Sequence, residues 1–146
     1  MSNRKEELKK RFDRLAGRRD EWIARNRYYY GDQARYFRFL VPEGMSVLEL
    51  GCGTGDLLNA LKPGRGVGID ISPETITLAK KKYPHLEFRQ GDVEELKGID
   101  ETFDFIVMAD VVGHLQDIEE TFRGLKSFCL PDTRERGNIR INKMTQ

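Results

Sequence analysis

Apolar positions recur at two different periods along this chain. In RKEELKKRFDRLA, Leu8, Phe12 and Leu15 stand at helical spacing and predict an amphipathic helix. RDEWIARNRYYYGDQARYFRFL continues as a second helical stretch, with Trp22, Ile23 and a run of aromatics. VPEGM then breaks the pattern through Pro42 and Gly44. From Ser46 the character changes, and short apolar runs alternate with helix-like segments. SVLEL, GRGVGID, LEFRQGD and FDFIVMAD read as four strands. TGDLLNALK, SPETITLAKKKY and a short VEELK read as helices between them, and DIEETFRGLKSF as the helix after the fourth.

Helix-start chemistry supports these boundaries. Ser72 is placed to cap a helix with Pro73 at its first position, where a missing N–H does no harm. Asp117 followed by Glu120 resembles a capping box, and Ile118, Phe122 and Leu125 then share one face. Strands alternating with helices predict an α/β fold, a doubly wound and mostly parallel sheet covered on both faces. No internal repeat or low-complexity segment interrupts it.

Composition narrows the class. At 146 residues the chain is the size of one domain. Its apolar runs fall far short of the roughly 18 residues that a membrane helix needs. MSNRKEELKK offers no apolar core for a secretory signal. Cys52 and Cys129 are the two cysteines, so neither a disulfide framework nor a metal site is expected, and the expected compartment is cytoplasmic. The net charge of +1 is unevenly spread: residues 1–40 hold twelve Lys/Arg against six Asp/Glu, so this segment carries +6. That basic arm reads first as a solvated helical face, with a substrate-facing or polyanion-binding surface as the second reading.

The chemistry concentrates in VLELGCGTGDLL, where Gly51, Gly53 and Gly55 stand at alternate positions between a strand and a helix. In doubly wound folds, ligands bind beyond the carboxyl ends of the strands, where strand order reverses. A dinucleotide fingerprint fails here, because Asp56 lies where the third glycine belongs, and no Gly-Lys-Ser/Thr marks a P-loop. Three acids are present instead: Glu49 ahead of the glycines, Asp70 ending the second strand and Asp92 ending the third. A carboxylate at the second strand end can accept hydrogen bonds from both hydroxyls of a ribose. Acids from three strand ends describe a cleft for a nucleoside without phosphate charge.

From about Val47 to Thr133 this ordered set resembles the class I S-adenosylmethionine-dependent methyltransferases of small-molecule type. VLELGCGTG is similar to that family's first motif, GVGIDIS to its second-strand acid, GDVEEL to its adenine-binding turn and FDFIVMADVVGHL to its fourth strand and adjoining loop. The resemblance implies a Rossmann-like fold with residues 1–44 as a helical lid, 45–133 as the cofactor-binding core and 134–146 as an atypical tail. It implies S-adenosylmethionine as cofactor and S-adenosylhomocysteine as product. By it, Gly51 and Gly53 lie beneath the cofactor with Cys52 as the small residue between them. Glu49 holds the loop or reaches the methionine amine, and Asp70 binds the ribose. Ile71 lies on one adenine face, Asp92 takes the adenine amino group, and the Val93 N–H meets a ring nitrogen. The Ala109 carbonyl receives the methionine ammonium. Tyr28, Tyr29 and Tyr30 resemble a lid helix, with Tyr30 among the cofactor contacts. His114 is the candidate general base, with a packed loop histidine as the other reading, and Asp110 reads as a loop cap.

The implied function is methyl transfer to a small-molecule acceptor, seated between the N-terminal helices and the loop around His114. The alternative is a cofactor-binding module without turnover that acts through association. Neither a membrane nor a nucleic acid is expected as partner. The resemblance departs at the C-terminal end, where the family usually adds strands in the order 3-2-1-4-5-7-6. CLPDTR stands where a fifth strand is due, and only Ile139 and Ile141 of ERGNIRINKMTQ alternate in strand fashion. The sheet is therefore expected to lack the usual C-terminal strands. An open edge on FDFIVMAD would invite a homodimer by edge pairing or tail exchange, unless the tail covers that edge within one chain.

Overall fold

The computed structural model describes residues 2–129 and 139–142. Helices α1 (Asn3–Leu15), α2 (Arg19–Arg25) and α3 (Arg27–Leu40) precede the sheet. The alternating part runs β1 (Ser46–Leu50), α4 (Asp56–Ala60), β2 (Arg65–Asp70), α5 (Pro73–Lys82), β3 (Glu87–Gln90), β4 (Phe105–Ala109), α6 (Ile118–Leu125) and β5 (Ile139–Asn142). All five strands are parallel, in the order β3-β2-β1-β4-β5. The order reverses between β1 and β4, which puts the glycine loop after β1 beside the loop after β4.

Both faces of the sheet are apolar, as a buried parallel sheet requires. One face packs Val47 and Val107 against Phe37 and Val41 of the α3 end, Leu58 and Leu61 at α4, and Ile76 and Ala79 of α5. The other packs Leu48, Leu50, Ile106 and Met108 against Phe103, Leu115 and Leu125. At Gly68 the strand has no room for a side chain. A Cβ there would stand 2.8 Å from Cys52 Sγ and from Phe88 Cδ1.

Four sequence expectations change. The second helical stretch breaks at Asn26, whose amide donates to the Trp22 carbonyl at 2.9 Å and whose backbone leaves helical geometry. VEELK is a turn rather than a helix. Asp92 accepts from the Glu94 N–H at 2.9 Å, while the Glu94 carboxylate accepts from the N–H groups of Gln116 and Asp117. Asp117 does cap α6 through the Glu120 N–H, but the α-helix stops at Leu125, and a 3₁₀ turn covers Lys126–Phe128. Ile118 stays 47% exposed rather than joining Phe122 and Leu125 on the core.

The fourth change concerns the sheet edge. β5 pairs with β4 from Ile106↔Ile139 to Ala109↔Asn142, and Ile139 and Ile141 pack on the second core. The fifth place in the sheet is thus filled by the weak alternating segment. The edge of β4 is closed within one chain. Most of CLPDTR, the segment due for that place, lies outside the described residues. Cys129, its first residue, forms only an isolated bridge with Phe103.

Helix α1 is amphipathic as expected, yet it buries none of its residues. Polar links hold it and the turn after it in place. Lys5 pairs with Asp92 at 2.6 Å, Gln116 donates to Ser2 at 2.8 Å, and Ser72 donates to Asp13 at 2.5 Å. Among the described residues no helix is long and apolar enough to cross a membrane.

The tight contact at Gly68 yields a direct test. Gly68→Ala is expected to destabilise the fold by about 1–3 kcal/mol, because neither Cys52 nor the Phe88 ring can yield without moving β3 or the glycine loop. Urea unfolding measures it, and an unchanged midpoint would mean the packing there is looser than the distances say.

Candidate active site

A cavity of about 1030 Å³ opens over the carboxyl ends of β1, β2 and β4, roofed by the N-terminal helices. The cofactor and catalytic residues expected from sequence line it: Glu49, Gly51, Cys52, Gly53, Asp70, Ile71, Asp92, Val93, Ala109, Tyr30 and His114. They come from strand ends that are distant in sequence, and the parallel topology is what gathers them.

The floor is the glycine loop. After β1 the chain folds back onto β2, with the N–H groups of Gly51 and Cys52 both donating to the Ile69 carbonyl. Gly51 has φ +72°, and a Cβ there would sit 1.9 Å from Val111 Cγ2, so glycine is required twice over. Asp70 fixes the loop. Its two oxygens accept from the N–H groups of Gly53 and Ser72, each at 3.0 Å. Burial pushes the Asp70 carboxyl above its ordinary range, and the two N–H donors only partly oppose this.

Glu49 is 2% exposed, and its Oε1 has no hydrogen-bond partner among the described residues. Burial pushes its carboxyl well up, against the pull of the Arg19 guanidinium. Arg19, from the start of α2, is the residue that sequence reasoning missed. Its Nε is buried and also without a partner, its guanidinium lies 5.8 Å from the Tyr30 ring centroid, and a Cβ on Gly53 would come within 3.1 Å of it. Twelve Lys/Arg crowd residues 1–40, and nothing in their spacing distinguishes this one.

The other acids are engaged. Asp92 and Glu94 share the Lys5 ammonium at 2.6 and 3.6 Å. Asp56 accepts from Thr54 and Tyr83 and pairs with Lys82; burial works against its charge, yet these donors hold its carboxyl below the ordinary range. Asp110, with φ +60°, does more than cap its loop. It accepts from the Tyr29 hydroxyl and the Gln33 amide and so anchors α3. Of the tyrosine run, Tyr30 reaches the cavity, Tyr29 binds Asp110, and Tyr28 is 77% exposed.

His114 sits in the 3₁₀ turn after β4, edge-on to Phe12 at 5.8 Å. Partial desolvation, with Arg11 and Arg4 nearby, lowers its pKa below the ordinary 6.5.

Residues 47–132, more than half of the chain, match the family model described as "Methyltransferase domain". The demethylmenaquinone methyltransferase of Chlorobaculum parvum is 35% identical over 85 residues, covering 56% of this chain and 34% of that protein. The chain thus spans about a third of that relative's length. A TehB-like SAM-dependent methyltransferase of known structure, from Corynebacterium glutamicum, is 27% identical with a TM-score of 0.59, covering 75% of this chain and 66% of that one. The N-methyltransferase NodS from Bradyrhizobium japonicum, solved in complex with S-adenosyl-L-homocysteine, has the same fold at a TM-score of 0.73. It is 22% identical, and the match covers 84% of this chain and 68% of NodS. With the motifs in order on a parallel sheet and the family match running through them, the chain belongs to the class I S-adenosylmethionine-dependent methyltransferases.

Proposed function

We propose that this chain holds S-adenosylmethionine over the glycine loop and methylates a small-molecule acceptor. The observation that carries the reading is the unpartnered Glu49 oxygen and Arg19 nitrogen, both buried and both lining the cavity at the glycine loop. A carboxylate oxygen and a guanidinium nitrogen, each buried without a hydrogen bond, suit a ligand end that carries an ammonium and a carboxylate. In this reading Arg19 takes the methionine carboxylate, while Glu49 and the Ala109 carbonyl take the ammonium. Asp70 accepts from the ribose hydroxyls with the lone pairs that Gly53 and Ser72 leave free. Asp92, paired with Lys5, accepts from the adenine amino group. Ile71 and the Val93 N–H frame the base, with Gly51, Cys52 and Gly53 beneath.

When bound, the cofactor supplies a sulfonium methyl already activated toward a nucleophile. What remains for the protein is alignment and exclusion of water. The α1–α2 roof supplies the second. His114, facing the cavity, takes the acceptor's proton on an imidazole nitrogen. The names of similar proteins favour turnover over a silent binding module, since they are methyltransferases.

With β5 of the same chain on the β4 edge, the open edge that would invite a homodimer is covered, and the remaining route to one is exchange of that strand between two copies. Light scattering is expected to give the monomer mass, and a dimer would mean that the strand is exchanged.

Two outcomes follow for the site. Calorimetry is expected to give micromolar binding of S-adenosylmethionine and its demethylated product, of order −8 kcal/mol. Asp70→Ala should weaken that binding by ~1.5–3 kcal/mol through lost charge-assisted hydrogen bonds. No heat with either ligand, but heat with NAD, would overturn the cofactor reading. For His114, a lowered pKa keeps the base form to lower pH. The acid limb of kcat/KM is therefore expected below pH 6.5 and absent in His114→Gln. A limb that survives the substitution removes His114 from the chemistry.

A further inference from the structure

The roof of the cavity presents a surface that the cofactor reading leaves unused. Leu15 and Trp22 line the cavity yet are 47% and 53% exposed. An amphipathic helix normally buries its apolar stripe against the core. Here α1 buries none of its residues, and Leu8, Phe12 and Leu15 all face the cavity. Apolar groups in that position are short of a covering partner, and the space beside them is the cleft itself.

The charge of the roof is equally one-sided. Arg11 of α1 and Arg18 of the 3₁₀ turn after it line the same cavity. Neither side chain makes a hydrogen bond or ion pair with any described residue. Of the other cations lining the cavity, Lys5 is taken by Asp92 and Glu94 and Arg25 by Glu21, while Arg19 is set toward Glu49 at the glycine loop. The acids of the cleft are engaged as well, Asp110 by Tyr29 and Gln33, Asp56 by Thr54, Tyr83 and Lys82. Among the described residues, no acid lining the cleft pairs with Arg11 or Arg18, and Glu49 is set toward Arg19 at the glycine loop. The cavity, at about 1030 Å³, also stands at the upper end of the roughly 300–1,000 Å³ usual for one drug-sized ligand. Two ligands side by side fit that size better than one.

We propose that the methyl acceptor is an amphiphilic anion, an apolar body bearing a carboxylate or phosphate, with the body against Leu15, Trp22 and Phe12 and the charge at Arg11 and Arg18. This rests on the cofactor reading above, because it assigns the part of the same cavity that the cofactor does not use. Guanidinium groups suit either anion, since their donors match paired oxygens. His114 lies on this side, edge-on to Phe12, which sets the proton-accepting nitrogen beside the seated acceptor.

The test is calorimetry on the full chain, with and without saturating S-adenosylhomocysteine. The probes are 2-naphthoate, 2-naphthyl phosphate, octanoate and octyl phosphate, each beside its neutral amide or alcohol. At least one anion is expected to bind about fivefold or more tightly than its neutral counterpart, with the preference falling as salt rises. Carboxylate and phosphate arms show which anion is preferred. Arg11→Gln with Arg18→Gln should abolish the preference and leave S-adenosylhomocysteine affinity and melting temperature unchanged. Trp22→Ala should weaken the anion and its neutral counterpart alike. Equal binding of every anion and its counterpart, no binding by any anion, or a preference that survives the double substitution would each overturn the proposal. So would a single-stranded oligonucleotide that binds through the same two arginines more tightly than every small anion. Failure of S-adenosylhomocysteine to bind counts against the cofactor reading alone, since charge preference is also measured on the free chain.

Discussion

The Asp70 carboxylate joins three parts of the molecule at one point. It ends β2, accepts the Gly53 N–H of the loop after β1, and accepts the Ser72 N–H where α5 begins. Ser72 in turn caps α5 through the Thr75 N–H and donates to Asp13 of α1. One acid at a strand end therefore sets the floor of the cleft, the start of a core helix and, through Ser72, the seat of the roof. Burial pushes this 9% exposed carboxyl above its ordinary range, and the two N–H donors work against that cost. Asp70 lines the cavity from that same framework position, so on the proposed function its loss would remove a binding group and a positioning group together.

Around that point the electrostatics divide the cleft into two regions. Where the sheet delivers acids, the roof or α5 returns cations: Lys5 to Asp92 and Glu94, Lys82 to Asp56. Arg19 likewise faces Glu49, but here each partner keeps one buried atom without a hydrogen bond beside the glycine loop. A buried polar atom left without a hydrogen bond costs about 1–3 kcal/mol unless a ligand satisfies it. That cost is why these two, rather than the better paired acids, carry the functional reading.

The parts of this design legible in the sequence are those with local rules. Gly51 announces itself because a left-handed turn packed on Val111 admits no side chain, and Asp70 and Asp92 because strand ends follow strands. Ser72 with Pro73, and Asp117 with the Glu120 N–H, are caps that a few residues decide. Arg19 was invisible because only the docking of α2 over the loop separates it from eleven other basic residues of the same arm. VEELK misled because the Asp92 side chain offers the Glu94 N–H a turn, and the Glu94 carboxylate a distant partner, in place of a helix. β5 was nearly missed because two isoleucines make a poor strand alone, and become one only beside Ile106 and Met108.

The roof has a further physical consequence. The sheet is held by two apolar cores, whereas α1 is held by Lys5–Asp92, Gln116–Ser2 and Ser72–Asp13, with no residue of its own buried. Polar links of this kind, each worth about 1 kcal/mol net, seat α1 more weakly than the two cores seat the sheet. Leu8 and Phe12 of this helix line the cavity, and Phe12 meets His114 edge-on. On the proposed function, a ligand beneath them would add apolar contact to the helix, so that binding and the docking of α1 would favour each other.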